Sequence, residues 1–184
     1  MYKIAITNRH LCSIDIADKI AELTVYEMII LREKDLTREE YLNLAKRAIV
    51  VNDKVVLHSF IDVASELNYK KIHLPFDTFV RNSERLKDFE LIGVSTHSVN
   101  EAQTAEKMGA DYVTASHIFN TDCKKGLRPR GLDFLKAVCE SVKIPVYALG
   151  GINNENAQDC IDAGAKGVCM MSEAMIDKGG ENYG

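Results

Sequence analysis

Short apolar runs alternate with longer amphipathic segments along most of this 184-residue chain. Several short runs are continuously apolar, which is typical of strands in a parallel sheet that is covered on both faces. The strands predicted in this way are Tyr2–Ile6, Met28–Leu31, Val55–Leu57, Lys71–Leu74, Leu91–Val94, Tyr112–Ala115, Val146–Leu149 and Gly167–Met170.

The segments between these strands carry apolar residues at helical spacing. Thr37 and Glu40 have the spacing of a capping box, which predicts that a helix begins there. Gly109 and Gly164 stand where two of the helices should end. The predicted helices are Ile14–Leu23, Thr37–Ala48, Phe60–Leu67, Glu84–Lys87, Ser98–Met108, Leu132–Val142, Asn154–Ala163 and Glu173–Ile176.

This alternation predicts an α/β protein with a closed (β/α)8 architecture, the TIM barrel. A doubly wound open sheet is the alternative. The chain is shorter than the roughly 250 residues that are usual for a TIM barrel, and the shortage falls at the C-terminus, where the last helix is expected to be short. No proline-rich or low-complexity linker interrupts the chain, so we expect one domain over residues 1–176 and a flexible tail over 177–184.

Charge and cysteine content limit the classes of binding partner and indicate the cellular compartment. The net charge is −4 and no dense block of lysine and arginine occurs, which argues against nucleic-acid binding. No apolar run approaches the ~20 residues that a membrane span needs, and the N-terminus has no signal-peptide pattern. The five cysteines form no Cys-x-x-Cys pair, which favours reduced thiols in a cytoplasm. The oligomeric state is open; a homodimer, or a partner chain that completes the barrel, is compatible with the short C-terminus.

A pair of loops near the C-terminus has the features of a phosphate site. Gly150 and Gly151 follow the seventh predicted strand, and Met171 and Ser172 follow the eighth. Paired glycines let a ligand approach the backbone, and these two loops often bind phosphate in TIM barrels. A tight turn without a ligand is the alternative for the glycines.

Two cations follow the second predicted strand. Arg32 and Lys34 are two residues apart, so in extended chain both side chains point the same way, which suits an anionic ligand. A solvated charged loop is the alternative.

The loop after the sixth predicted strand places a histidine where α/β proteins usually carry their chemistry. It runs from Ala115 to Gly126 and contains His117, Thr121 and Lys124. Thr121 and Lys124 are candidate ligand contacts, and Lys125 is a further cation. Cys123 could act as a nucleophile, but no histidine is adjacent to it in sequence, so a structural role is favoured.

Five motifs, in this order, resemble the thiamine-phosphate synthase superfamily and cover nearly the whole chain. They are Leu-Arg-Glu-Lys-Asp-Leu at 31–36, Gly-Val-Ser-Thr-His-Ser at 93–98, Gly-Ala-Asp-Tyr-Val at 109–113, Leu-Gly-Gly-Ile-Asn at 149–153 and Ala-Gly-Ala-Lys-Gly-Val at 163–168. The resemblance implies a (β/α)8 barrel and one of two activities. The synthase joins a pyrimidine diphosphate to a thiazole phosphate with magnesium, whereas the related thiazole tautomerase forms an aromatic carboxythiazole phosphate without a metal.

The synthase pattern is incomplete in this chain. It has Gln two residues before the arginine, Asn-Asp after the third strand and Gly-Gln-Glu-Asp after the fourth; here Ile30, His58-Ser59 and Pro75-Phe-Asp-Thr78 stand there. Magnesium prefers carboxylate oxygens, and Asp62 and Asp77 are displaced from the matching positions. We therefore expect no metal site and no cofactor, with magnesium required only if the chain is a synthase.

The tautomerase pattern fits better. Its sixth loop reads His, Val or Ile, Phe, then Thr-Asp-Cys-Lys-Lys-Gly and later Arg-Gly, which matches 117–126 and 130–131. The resemblance maps the catalytic histidine onto His117. An imidazole, with an unperturbed pKa of about 6.5, can remove a proton and return it as an acid.

The implied substrate is an alkylidene dihydrothiazole with a carboxylate on ring carbon C2 and an ethyl phosphate arm. The phosphate is expected at Gly151 and Ser172, and Arg32 or Lys124 near the carboxylate. His97 is expected to cap or brace the fifth loop and His73 to lie in the barrel wall or core, while His58 and His10 have weaker claims to the site. The alternatives are a magnesium-dependent thiamine-phosphate synthase and a non-catalytic binder of thiazole or thiamine phosphate.

Overall fold

Eight parallel strands in sequential order close into a barrel. The computed structural model describes residues 1–121 and 126–176, so Asp122, Cys123, Lys124, Lys125 and the predicted tail 177–184 lie outside the described residues. The strands are β1 Tyr2–Ile6, β2 Met28–Leu31, β3 Val55–His58, β4 Lys71–Pro75, β5 Leu91–Thr96, β6 Tyr112–Ser116, β7 Val146–Leu149 and β8 Gly167–Met170. The predicted (β/α)8 barrel is confirmed, and because β1 pairs with β8 the open sheet is excluded.

A helix follows each strand of the barrel. The helices are α1 Ile16–Glu22, α2 Arg38–Val51, α3 Ile61–Glu66, α4 Phe76–Arg81, α5 Val99–Lys107, α6 Gly131–Ser141, α7 Ala157–Asp162 and α8 Ser172–Met175, with 3-10 turns at Arg9–Leu11 and Ser83–Leu86. The last helix has four residues, which agrees with the predicted short C-terminal helix. None of the helices in the described part of the chain is long and apolar enough to cross a membrane.

Local sequence signals explain several helix ends. The predicted capping box is present, with the Thr37 side chain accepting from the Glu40 backbone N–H. The Ser98 side chain accepts from the Glu101 backbone N–H and begins α5. After α7, Gly164 adopts φ +102°, a conformation that glycine reaches without steric cost.

One predicted helix was placed wrongly, and two others begin two or three residues later than predicted. α1 begins at Ile16 rather than Ile14, because the Asp15 side chain accepts from the Ala17 backbone N–H and acts as the N-cap, and α7 begins at Ala157 rather than Asn154. The predicted helix Glu84–Lys87 is a 3-10 turn, and α4 lies earlier, directly after Pro75. Its anchor is Phe79, which is 1% exposed and packs in the core.

The barrel interior is filled by layers of side chains. Following the strand register around the barrel assigns four residues from alternate strands to each layer. The layer nearest the carboxyl ends, here called the rim layer, consists of Arg32, Pro75, Ser116 and Met171. The floor layer beneath it consists of Ile6, His58, Ser95 and Leu149. The ligand-facing end of the barrel is built on these two layers.

Candidate active site

A cavity opens at the carboxyl ends of β1, β2, β6, β7 and β8. It is lined by Ile6, Arg32, Ser116, His117, Thr121, Leu149, Gly150, Gly151, Ile152, Cys169, Met171 and Ser172. Seven of the residues that the sequence assigned to the site meet here: Arg32, His117, Thr121, Gly150, Gly151, Met171 and Ser172. We call this part of the barrel mouth the cavity side.

His117 is held in the cavity wall by the loop that follows β6. It is 5% exposed. Its backbone carbonyl accepts from the Arg130 backbone N–H at 3.0 Å, and its Nε2 lies 3.4 Å from the Leu127 carbonyl oxygen. Because a carbonyl only accepts, this long contact places a proton on Nε2, so a neutral ring in this position has its lone pair on Nδ1. In that tautomer Nδ1 is the nitrogen that can accept a proton.

The glycines after β7 let the histidine loop approach closely. The Phe119 backbone N–H donates to the Gly150 carbonyl at 2.9 Å. A Cβ on Gly150 would lie 2.4 Å from the His117 Cβ, and a Cβ on Gly151 would lie 2.2 Å from the Asn120 carbonyl oxygen. Both glycines have positive φ, +105° and +67°. Close packing of the two loops thus requires glycine here, in addition to any role in phosphate binding.

Arg32 is part of the cavity lining and Lys34 is not. Arg32 lines the cavity, and its backbone N–H donates to the Thr7 hydroxyl at 2.9 Å. The chain turns directly afterwards, with the Leu36 N–H directed at the Glu33 carbonyl, and Lys34 is exposed outside the cavity lining. Lys34 is thus outside the described cavity lining, although its charge, like that of Arg32, reaches His58 at the barrel mouth.

An ion cluster that no sequence pattern predicted joins the loops after β1 and β2. The Arg9 guanidinium contacts both Asp35 carboxylate oxygens at 2.6 Å, and the Arg9 backbone N–H lies 3.1 Å from each oxygen of Glu33. Glu33 is only 2% exposed. Arg9 and then His10 hold the pKa of Asp35 well below its usual range. The cluster fixes the chain directly after Arg32 and so supports its position in the cavity.

The opposite part of the mouth, on β3 to β5, contains hydrogen-bonded polar side chains; we call His58, His73 and Ser95 the histidine side. His73 Nδ1 lies 3.0 Å from the Tyr112 hydroxyl and its Nε2 lies 2.8 Å from Ser95 Oγ. The His58 and His73 rings stack with centroids 5.8 Å apart. The prediction that His73 lies in the barrel core is confirmed, since it is 2% exposed.

Both histidines of this side are neutral at physiological pH. Burial lowers the pKa of His73 to about 3. Burial, followed by repulsion from His73, Arg32 and Lys34, lowers the pKa of His58 well below its usual value. The imidazole rings of the histidine side are therefore uncharged.

The donor set does not fit the magnesium ion that the synthase pattern implies. Asp62, on α3, is paired with Arg38 at 2.5 Å, and Asp77 is exposed on α4. Within residues 1–121 and 126–176, no group of three His, Cys, Asp or Glu side chains is arranged to hold a metal. Neutral imidazole and hydroxyl groups replace the carboxylates that magnesium prefers.

Two polar residues of the cavity wall were not predicted. Ser116 is 3% exposed and lines the cavity directly before His117. Cys169 is 2% exposed, and burial raises the pKa of its thiol, so it contributes a neutral group to the bottom of the cavity. Strand alternation from Tyr112 through Thr114 could have identified Ser116 as inward-facing. No disulfide joins the cysteines that the structure describes.

His97 braces the neighbouring strand rather than only its own loop. Its Nδ1 lies 3.1 Å from both the carbonyl oxygen and the hydroxyl oxygen of Ser116. His10 lies outside the cavity lining and contacts Asp35 at 2.9 Å. His117 is thus the one of the five histidines in the chain that lines this cavity.

Comparisons with known proteins agree with the fold and the motifs. The family model described as thiamine monophosphate synthase matches residues 3–174. A protein of Aquifex aeolicus named putative thiamine-phosphate synthase 2 is 39% identical over 150 residues, covering 79% of this chain and 81% of the relative. A thiamine-phosphate synthase of Clostridium novyi is 35% identical over 152 residues, covering 79% of this chain and 74% of the relative.

A solved structure shows the same architecture. The thiamine phosphate pyrophosphorylase of Pyrococcus furiosus superimposes with a TM-score of 0.78 at 29% identity, over 93% of this chain and 85% of that protein. The matched region of the family model spans the barrel from β1 into α8 and includes all the residues of the cavity wall. The chain therefore belongs to the thiamine monophosphate synthase family.

Proposed function

We propose that this protein is a thiazole tautomerase of thiamine biosynthesis. The observation that carries the proposal is a single buried histidine, His117, in a cavity whose described lining contains a cation but no carboxylate. Such a site can bind an anionic ligand and move a proton within it. It does not supply the carboxylates that a metal diphosphate would need.

In the proposed complex, the phosphate and the carboxylate of the substrate bind at two separate places in the cavity. The phosphate binds the loops at Gly150–Gly151 and Met171–Ser172, where backbone groups and the Ser172 hydroxyl are available. The carboxylate lies toward Arg32, with Thr121 as a polar contact between them. Lys124, outside the described residues, is the alternative cation. Binding at both ends holds the ring beside His117. This fixed orientation increases the rate, because the reacting groups no longer have to find each other.

His117 then acts as the only proton carrier. Its unprotonated nitrogen removes the hydrogen of ring carbon C2, and the C–H electron pair moves into the conjugated system of the ring. The exocyclic carbon takes the proton from the imidazolium, the exocyclic double bond becomes a single bond, and the ring is aromatic. Substrate and product are isomers, so no oxidant or reductant is needed. A positioned acid–base group of this kind contributes about 10²- to 10⁴-fold in rate.

Thiamine-phosphate synthase activity is the second candidate, and the names of the relatives favour it. This transfer would require a pyrimidine diphosphate and magnesium on the β3 and β4 side of the mouth. His58, Ser59 and Pro75 stand there in place of the expected ligands. We therefore rank the transferase below the tautomerase on the chemistry of the donor set.

One assay separates the two activities. The purified protein is given the dihydrothiazole carboxylate phosphate with and without magnesium, and the ultraviolet spectrum of the aromatic product is followed. We expect turnover without magnesium. Magnesium-dependent formation of thiamine phosphate from the two synthase substrates, without tautomer conversion, would establish the transferase instead. Ligand binding without either turnover would indicate a non-catalytic binder.

Substitution of His117 tests the assigned residue. His117→Asn should lower kcat by about 10²- to 10⁴-fold while binding of the aromatic product persists. Lys87→Met is the control, because Lys87 is exposed and pairs with Glu84 away from the cavity. Unchanged turnover of His117→Asn would end the proposal.

A further inference from the structure

Ser116 and His97 form a pair in the cavity wall to which the proposed mechanism assigns no role. The Nδ1 atom of His97 lies 3.1 Å from the Ser116 carbonyl oxygen and 3.1 Å from the Ser116 hydroxyl oxygen. A carbonyl oxygen only accepts, so Nδ1 must carry the proton. The same N–H faces the hydroxyl oxygen, which leaves the hydroxyl proton of Ser116 directed elsewhere.

The His97 side chain is held by the start of α5. The His97 backbone N–H donates to a Glu101 carboxylate oxygen at 2.6 Å, and the next residue, Ser98, accepts from the Glu101 backbone N–H at 3.1 Å. These bonds anchor His97 on one strand end while its ring reaches the next strand. His97 thus ties the last residue of β6 to the first turn of a helix.

Ser116 occupies the position from which a hydroxyl can reach a bound ligand. It belongs to the rim layer, lines the cavity and directly precedes His117. Its hydroxyl makes no second hydrogen bond with the part of the chain that the structure describes. The hydroxyl proton is therefore available to an acceptor in the cavity, on the same wall as the catalytic imidazole.

The acceptor can be assigned by elimination on the proposed substrate. The phosphate lies at Gly151 and Ser172, and the carboxylate lies toward Arg32. The remaining strong acceptor is the ring nitrogen, because the ring sulfur accepts only weakly. The nitrogen gains negative charge when the C2 proton leaves. A fixed donor aimed at an atom that gains charge stabilises the transition state more than the ground state.

We propose that Ser116 is a catalytic hydrogen-bond donor to the ring nitrogen of the thiazole and that His97 is the positioning residue that orients it. This inference rests on the proposed tautomerase function. His117 still carries the transferred proton: the C2–H pair enters the ring, and the exocyclic carbon receives the proton back. The Ser116 O–H bond remains intact throughout and only its hydrogen bond to nitrogen strengthens.

The first test is Ser116→Ala, compared with wild type in the tautomerase assay and in titration with the aromatic carboxythiazole phosphate. Loss of one transition-state donor should lower kcat about 10²-fold, with KM and the product Kd within about threefold because ground-state binding is retained. Ser65→Ala is the matched control; its hydroxyl bonds the Ile61 carbonyl in α3, away from the cavity, and kcat should be unchanged.

The outcomes separate this inference from the proposed function. If wild type shows no tautomer conversion, the proposed function fails and this inference falls with it. If wild type turns over and Ser116→Ala keeps its kcat, only the Ser116 assignment fails. A raised KM and product Kd at unchanged kcat would also overturn it, since Ser116 would then hold the phosphate or carboxylate in the ground state.

The second test addresses His97. His97→Ala should lower kcat about as much as Ser116→Ala, and the double variant should be no worse than either single one, because both remove one interaction. His97→Asn should recover much of the rate, since the amide N–H can occupy the place of Nδ1–H. Full activity of His97→Ala, losses that multiply in the double variant, or no recovery with asparagine would each contradict the positioning role.

Discussion

The cavity side and the histidine side of the barrel mouth use their inward-facing groups in opposite ways. On the cavity side, Ser116, His117 and the glycines after β7 face a ligand-sized space. On the histidine side, His73 bonds Tyr112 and Ser95, so these groups satisfy one another. Both sides are built from the same layers of the same barrel, and the difference lies in whether polar groups are directed to a ligand or to each other.

The charge of the two sides differs in the same way. The cavity side has one permanent cation, Arg32, in its described lining. The histidine side holds His58 and His73 neutral, because burial lowers the pKa of each. A site with one cationic pole and one neutral pole suits a single anionic ligand better than two anionic substrates bridged by a metal. The comparison thus supports the ranking of the two proposed activities.

Among the variants that test this comparison, the largest expected effect comes from the glycines that close the cavity side. Gly150→Ala places a methyl group 2.4 Å from the His117 Cβ, so the histidine loop must shift. Misplacing a catalytic group by about 1 Å can cost about 10²-fold in rate, and we expect at least this loss in kcat. Positive φ adds backbone strain of roughly 1–3 kcal/mol to the variant, which denaturant unfolding would measure.

A second glycine separates the effect of backbone strain from the effect of steric contact with His117. Gly109 also has positive φ, +93°, but a Cβ added there would have no non-neighbouring atom within 4 Å and would meet open space. Gly109→Ala should therefore lose stability through strain and retain kcat. Equal activity losses in Gly109→Ala and Gly150→Ala would show that the close approach to His117 is not what matters.

The histidine side should make the protein sensitive to acid. The pKa of His73 is about 3 in the folded protein and about 6.5 unfolded, so between these values the unfolded chain binds the extra proton. Stability from this residue is therefore complete above about pH 6.5 and is lost as the pH falls, by roughly 2–3 kcal/mol between pH 6 and pH 4. His58 shifts in the same direction and adds to the loss.

Urea unfolding at several pH values checks this effect. His73→Gln removes one of the titrating groups, so its stability at pH 7 should be lower than that of wild type but should fall less steeply with acid. The unpaired Tyr112 and Ser95 hydroxyls explain the lower starting value. Parallel stability curves for the two proteins would show that His73 is not neutral in the folded state.

The sequence predicted the barrel well because its signals are local. Short, mostly apolar runs marked every strand. The glycine pair and His117 follow strand ends, which closure of the sheet brings to one mouth. The cavity residues on β1, β2, β6, β7 and β8 are far apart along the chain. Knowing the fold was enough to bring them together, because parallel strands end on the same side.

The features that the sequence did not predict depend on turns or on side-chain pairs between residues that are distant in sequence. Lys34 lies outside the described cavity lining, because the chain turns immediately after Arg32. The partners of Arg9 are 24 and 26 residues away, and no local pattern links them. Ser116 was overlooked because a serine at a strand end has no chemical signature until its partner, His97, is placed beside it.

The smallest expected effect comes from the two cations at the edge of the cavity side. Arg32 lines the cavity and Lys34 is exposed outside it. Loss of a hydrogen bond to a charged group costs roughly 1.5–3 kcal/mol, so Arg32→Met should raise the KM for the carboxylate substrate by about 10- to 100-fold. Lys34→Met should change it by no more than about twofold, because its charge is screened by solvent.

Steady-state kinetics at two ionic strengths measures both effects on KM, and the effect of Arg32→Met should persist at the higher ionic strength. Because the phosphate anchor lies elsewhere, binding of inorganic phosphate should be similar in the two variants. A larger effect for Lys34 than for Arg32 would move the carboxylate out of the cavity and toward the histidine side.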